Sequence, residues 1–438
     1  MNTVRPADAF APDTGRRTII QLSTPMHPNL HQQSPRPARD WTPDCRPAHH
    51  HLRPGMALLL CSGLLASHAA LGDESASKAP FDRAWRHAVL YDNPDSAAGR
   101  LALSGRLQLD SVWFSADPDQ AQAEDKYNDV LWRRFRFGFK WNFAGNWVAQ
   151  LEGDFNLNNE FSDLYEGLTD AYIGYAPGKA WGVKVLKQSA AFTLDGATSS
   201  KELLTPERNN LTNNLWFTEE YFSGASIAGV LDSRWSYKAG LFSSDGDPEI
   251  GFTGAAWFTL LSLGYDFGES LDLDLASVRV DYVYNKEDAD ANTRDFAQVL
   301  SLVTEWEKGR LGLWTDLSSG RGYRSQSDVW GLVLMPFYRF NDRHQVVLRY
   351  TWVTSADDNG VRFNRYERNI VDDNKAAGIY QNDRGDRYNE LLAGYNLFFY
   401  GHKLKWQTAL QYTTMADSAD DGGEYDGWGL TTGLRMSW

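Results

Sequence analysis

Twelve residues, Gly427 to Trp438 (GWGLTTGLRMSW), alternate in character without a break. Trp428, Leu430, Thr432, Leu434, Met436 and Trp438 share one parity; Gly429, Thr431, Gly433, Arg435 and Ser437 share the other. Side chains of a strand alternate faces with a period of two, so this strand is apolar on one side and polar on the other. Such a strand either covers a soluble core or turns its apolar face to lipid and its polar face to water. A final strand that ends on an aromatic residue is the usual last stave of a transmembrane β-barrel, so the preceding chain must supply the other staves.

Sixteen alternating segments are present, at roughly 99–115, 130–143, 146–158, 167–176, 181–188, 219–231, 233–244, 254–267, 273–286, 295–307, 310–319, 328–340, 344–355, 386–400, 402–415 and 427–438. The alternation is clearest for Ala276, Val278, Val280, Tyr282 and Tyr284 against Ser277, Arg279 and Asp281, and for Val346, Leu348, Tyr350 and Trp352 against Gln345, Arg349 and Thr351. It is weakest in 219–231. Connections also alternate. Ala144-Gly145, 177–180, Asp232, 268–272, Lys308-Gly309, 341–343 and Gly401 are short, whereas 116–129, 189–218, 245–253, 287–294, 356–385 and 416–426 are long and mostly acidic. An even strand number with short periplasmic turns and long outer loops is how bacterial outer-membrane barrels are built. The expected fold is therefore all-β, a 16-stranded antiparallel transmembrane β-barrel over 99–438, wide enough to enclose an aqueous channel.

Composition agrees. No apolar run approaches the ~18 residues a membrane-crossing helix needs, and the 13% aromatic content, with 17 Trp, suits interfacial girdles. Residues 1–55 are rich in Pro, Arg and His and read as a leader or an over-extended start, with Met56 the expected true start. Residues 56–72 (Met56 to Ala66, then Ser67 to Gly72) read as a signal peptide cleaved after Ala69 or Gly72. A lipoprotein reading through Cys61 is weak because bulky Leu60 precedes it. Residues 73–98 are expected to form a periplasmic N-terminal segment, too short for the plug of a large transporter. Both cysteines, Cys45 and Cys61, and the tract His49-His50-His51 lie in the leader, so the exported part has no disulfide, thiolate metal site or expected cofactor. Removing the leader leaves 36 basic and 53 acidic residues, a net charge of −17 that argues against nucleic-acid partners.

If the apolar parity faces lipid, Arg106, Arg134, Arg136, Lys140, Lys184, Lys238, Arg279, Arg349, Lys403, Lys405 and Arg435 face the lumen, against Asp110, Glu152, Asp154, Asp170, Asp281, Glu305, Asp316 and Glu390. Charge in a narrow lumen is poorly screened, whereas loop acid such as Asp245, Asp247 and Glu249 sits in salt with a Debye length of about 8 Å. A lumen with a basic excess would prefer anions. Arg134, Arg136 and Lys140 share a face and should form a row of cations. Arginine's planar fork suits phosphate; the plainer alternative pairs these arginines with Glu152 and Asp154 on the next strand. Arg133 has outward parity and is expected near the outer rim. The loop 189–218, with Ser199, Ser200, Lys201 and Arg208, is low in acid and expected to fold inward as the constriction.

Taken together, Leu103-Ser-Gly105-Arg106-Leu-Gln108-Leu-Asp110, Arg133-Arg134, Asp170-Ala171-Tyr172, Ala197-Thr-Ser199-Ser200 with Glu207-Arg208-Asn209, and Arg349-Tyr350 resemble the phosphate-selective porin O and P family from about Leu90 to Trp438. The resemblance implies a homotrimeric outer-membrane channel in which an arginine ladder guides anions to a constriction loop bearing a lysine and serines. Arg106, Arg133, Arg134, Asp170, Ser199 and Ser200 match position by position. The loop lysine does not: Gly196 stands there, with Lys201 a possible substitute, and this bears on phosphate selectivity.

The expected function is passive diffusion of small anions, phosphate or polyphosphate foremost. The alternative is a general-diffusion or cation-preferring porin. An outer-membrane hydrolase is remote, because outside the leader only His87, His344 and His402 could serve as a base, and none falls at the outer rim. The clusters Asp417, Asp420, Asp421, Glu424 and Asp357, Asp358 lack Ca²⁺-loop spacing and read as solvated loops near lipopolysaccharide.

Overall fold

A computed structural model describes residues 74–117, 123–217 and 220–438; the leader, the signal peptide and both cysteines lie outside them. Helix α1 (Glu74–Arg86) leads into a short arm, Val89–Asn93, and then into the barrel. Its strands are β1 (Gly99–Ala116), β2 (Lys126–Phe143), β3 (Trp147–Phe155), β4 (Tyr165–Tyr175), β5 (Gly182–Ser189), β6 (Tyr221–Leu231), β7 (Trp235–Ser243) and β8 (Trp257–Asp266), followed by β9 (Leu275–Asn285), β10 (Phe296–Lys308), β11 (Leu311–Gly322), β12 (Val329–Arg339), β13 (His344–Ser355), β14 (Arg387–Tyr400), β15 (Leu404–Ala416) and β16 (Tyr425–Ser437). Each pairs antiparallel with its sequence neighbours, and β16 closes on β1 from Gly427↔Ala116 to Ser437↔Arg106. Closure satisfies every stave's backbone and removes the edges, the condition for β-structure in lipid. All sixteen expected segments correspond to strands, with ends moved by a few residues.

Parity holds where it was read. Trp428 is 51% exposed and Arg435 2%; Leu348 is 52% and Arg349 1%. Outward aromatics form two belts. One follows the turn end, with Trp141–Phe143, Trp147–Tyr175 and Trp235–Tyr265 centroids 4.3, 5.0 and 4.7 Å apart. The other follows the loop end, with Trp257–Tyr284 at 5.7 Å and Tyr412–Trp428 at 5.0 Å. Belts at both ends of an apolar band mark the two membrane interfaces.

Strand β2 contradicts one expectation. Gln108 pairs with Arg134 and Leu109 with Trp132, so Arg133 is an extra, bulged residue. Above it Val130 and Trp132 face out; below it Arg134 and Arg136 face in. The bulge swaps parity, and Arg133, expected outside at the rim, points into the lumen.

The lumen also differs from an empty tube. Residues 190–217, carrying the short α2 (Leu194–Ala197) and α3 (Asn210–Leu215), fold inward. Short α4 (Gly268–Leu271) sits in a turn. The connection 356–386, read as an external acidic loop, folds inward as well and carries α5 (Arg365–Ala376). The sequence held its signal: Asn364 with Glu367 three residues on, and Phe363, Tyr366, Ile370, Val371 and Asn374 at helical spacing, all at most 3% exposed. Inward-pointing Phe222, Phe258 and Phe296 meet Leu211, Leu215 and Phe217 of the first loop in a dry core inside the barrel, with Phe217–Phe258 at 4.9 Å.

Candidate functional site

The loop 190–217 crosses the lumen from β9–β11 to β13–β16. Thr193, fully buried with φ 64°, begins it. Positive φ is costly for a β-branched residue and persists only where the surroundings impose it. Here they do: Thr193 N donates to Asp281 (3.0 Å), Leu194 N to Asp316 (2.8 Å), and Arg279 Nη2 donates to Thr193 O (2.8 Å). At the far side Lys405 Nζ donates to Leu203 O (2.6 Å), Asn396 to Leu204 O (2.9 Å), and Arg349 to Thr205 Oγ1 (2.7 Å) and Glu207 O (2.9 Å). Arg349 is itself clamped bidentately by Glu390 at 2.8 and 3.1 Å. Arg279 and Arg349, expected as pore-lining residues, thus hold the loop in place.

A dense cationic cluster lies where the loop meets β1 and β2. Arg106 bonds Ser200 Oγ and pairs with Glu152 at 3.3 Å. Gln108 donates to Ser200 O (3.0 Å) and accepts from Arg134 Nη1 (2.9 Å). Arg133 grips Glu207; Arg136 meets Asp154 at 2.8 Å and Glu220 at 3.4 Å. Arg208 meets Glu220 at 3.3 Å and stacks 4.6 Å over the Trp216 ring. Burial pushes the Glu207 carboxyl up, but Arg133 outweighs it and holds the acid well below the usual carboxylate range; Arg208 and Arg136 do the same for Glu220. The expected pairing of arginines with Glu152 and Asp154 is therefore present. Arg134 is the exception: 7% exposed, it forms no ion pair among the described residues. Two buried Arg106 and Trp438 nitrogens, Nε and Nε1, likewise lack partners.

The remaining expected residues border the side of the lumen that the loops leave wet. Lys140 and Lys184 are exposed, and Asp170, Lys201 and Lys238 half-buried. Lys184 lies 4.2 Å over the Tyr172 ring, and Gln150 donates to Asp170 at 3.3 Å. Lys201 Nζ reaches Trp438 O at 3.3 Å; burial, then Arg106, pulls its pKa down to about 8. Ser199 is exposed beside it. At Gly196 a Cβ would stand 3.0 Å from the Trp216 ring and 2.8 Å from Thr193 Oγ1, so a lysine has no room there. Glu220 and Trp216, which help organise the cluster, carry no signal in the sequence, and Glu207 stands there only as part of a motif, because their partners are far along the chain.

Residues 102–302 match the model of the phosphate-selective porin O and P family. That stretch is similar to this family. Together with the closed barrel and its aromatic belts, the match makes the chain an outer-membrane porin. No curated protein matches the sequence. Among solved structures, the porin's fold is similar to an anion-selective porin from Comamonas acidovorans (TM-score 0.54, 13% identity, covering 77% of this chain and 99% of that one). It is also similar to Salmonella typhi OmpF in complex with daunomycin (TM-score 0.55, 12% identity, 78% and 98% covered). At such identities the likeness is one of fold.

Proposed function

We propose that this porin passes small anions, with phosphate or polyphosphate the preferred solute, along the wet side of the lumen past Lys140, Lys184, Lys201 and Lys238. The observation that carries the reading is Arg134, a buried guanidinium between Arg133 and Arg208 that, among the described residues, bonds a neutral amide and forms no ion pair. A cation without a carboxylate in direct contact, in a low-dielectric constriction, favours entry of an anion and opposes entry of a cation. Unpartnered Arg106 Nε and Ser200 beside it add donors suited to an oxyanion. The second reading, weak or cation preference, has its own support: every other arginine of the cluster faces a carboxylate. The reversal potential of the reconstituted channel in a salt gradient tests both. Anion-selective sign in the natural protein, reduced by Arg134→Ala, is expected; cation-selective sign overturns the proposal. Phosphate should also block chloride current.

The reading includes a homotrimer in the outer membrane. Strands β3, β5 and β7, with 9, 8 and 9 residues, are at or below the roughly 9–11 residues a tilted stave needs to cross the apolar band. A low wall of this kind is better covered by another copy than by lipid, with α1 and the short turns on the periplasmic side and the acidic loops toward lipopolysaccharide.

A further inference from the structure

The helix inside the second inward loop has a use that anion preference does not require. Helix α5 lies between the loop 190–217 and the wall of β1, β2 and β14–β16. Asn364 receives Asn213 Nδ2 at 2.6 Å, Tyr366 OH donates to Asp110 at 2.7 Å, and Asn374 Oδ1 receives Glu124 N at 2.6 Å. Its central anchor is Glu367, 2% exposed. Three neutral donors converge on its Oε1: Gln411 Nε2 (2.6 Å), Tyr388 OH (3.1 Å) and Thr413 Oγ1 (3.1 Å). No cation pairs with it among the described residues. A second carboxylate on the wall, Glu390, shares the Tyr388 OH with it (3.3 Å) and is paired with Arg349. Beside Glu367 lies a small cavity of about 10 Å³, room for about one water, lined also by Arg349, Arg365 and Glu207.

We propose that α5 is a proton-controlled gate, seated across the lumen when Glu367 is neutral and loosened when Glu367 ionises. A buried carboxylate without a counter-ion is costly, and a like charge adjacent raises the cost. The charged and titratable groups around it are Glu390 and Tyr388 on β14, Arg349 on β13, Tyr425 on β16, Asp110 on β1, Glu207 and Arg133 beyond the cavity, and Arg365 on α5 itself. β15 contributes only neutral Gln411 and Thr413. Burial and then Glu390 push Glu367 up from 4.5 to about 7. The seated helix therefore binds the proton more tightly than the unseated one. Seating is strongest below about pH 4.5 and weakens as pH rises toward 7.

The inference needs the porin reading only for there to be a current, and not its choice of ion. Single-channel conductance of the reconstituted protein should rise between pH 5 and 8, the open fraction changing by up to about tenfold per pH unit for one linked proton. Glu367→Gln should remove this dependence and stay at the low-conductance level. Separately, Ile370→Cys, buried against the wall, should react with a maleimide faster at pH 8 than at pH 5 after normalisation to Ser162→Cys on an exposed loop. Conductance independent of pH, an unchanged pH dependence in Glu367→Gln, or equal normalised labelling at both pH values would each overturn it. The sign of the reversal potential is read independently.

Discussion

At the scale of single residues, the lumen is governed by which cations have partners. Arg133 and Glu207 are both largely buried, so Arg133→Ala removes the close partner of Glu207, leaves it the longer 3.9 Å pair with Arg365 and should cost up to about 3 kcal/mol, seen as lowered thermal stability and faster proteolysis within 190–217. The pH dependence has a definite sign. Arg133 holds Glu207 below the usual carboxylate range, so this contribution is present above the unfolded pKa of 4.5 and is lost only well below it. The loop should remain protease-resistant at pH 4; cleavage there would show that the pair does not anchor it. Gly196→Lys, which puts a lysine where the resemblance implies one, should loosen the loop against Trp216 rather than strengthen phosphate block of chloride current, and a dose–response of that block decides between the two. Arg106, Arg134 and Arg136 were legible in sequence because they obey parity below the bulge. Arg133 was not, because one inserted residue reverses the faces and leaves no mark in an aromatic- and arginine-rich segment.

At the scale of elements, the same staves that read clearly as strands hold two very different loops. Asp281 and Asp316 accept from Arg279 and from Ser301 and Ser318 within the wall, and they also accept the backbone N–H groups of Thr193 and Leu194 that start the inward loop. Replacing Asp316 with Ala leaves Leu194 N unsatisfied in a dry site, a loss of about 1–3 kcal/mol, and should raise conductance by letting the loop swing aside. Unchanged conductance would mean that the core around Phe217 holds the loop unaided. The inward course of 190–217 was legible from its low acid content. That of 356–386 was not, because its acids dominate its composition while its apolar residues are confined to one helical face. Its start signal, Asn364 at the N-cap with Glu367 three residues on, was there to be read.

At the scale of the molecule, lipid outside and water inside impose the parity on every stave. Leu300 on β10 is 50% exposed and its neighbour Ser301 is fully buried. Leu300→Arg should therefore destabilise the barrel in a bilayer by about 2–4 kcal/mol, whereas an outward-facing Leu-to-Val change should be nearly silent; equilibrium unfolding from liposomes measures both. If Leu300→Arg were tolerated, the assignment of outer and inner faces would be in error.

The sequence by itself determined the cylinder: strand number, the sorting of short turns from long loops, and which side chains meet lipid all follow from a period of two repeated along the chain. Only the tertiary structure decided how much of the interior is free and which cations are. Those depend on contacts such as Arg349 with Thr205 or Glu367 with Gln411, between residues far apart in sequence. Local periodicity does not encode such pairings, and they form only once the ring has closed around its loops.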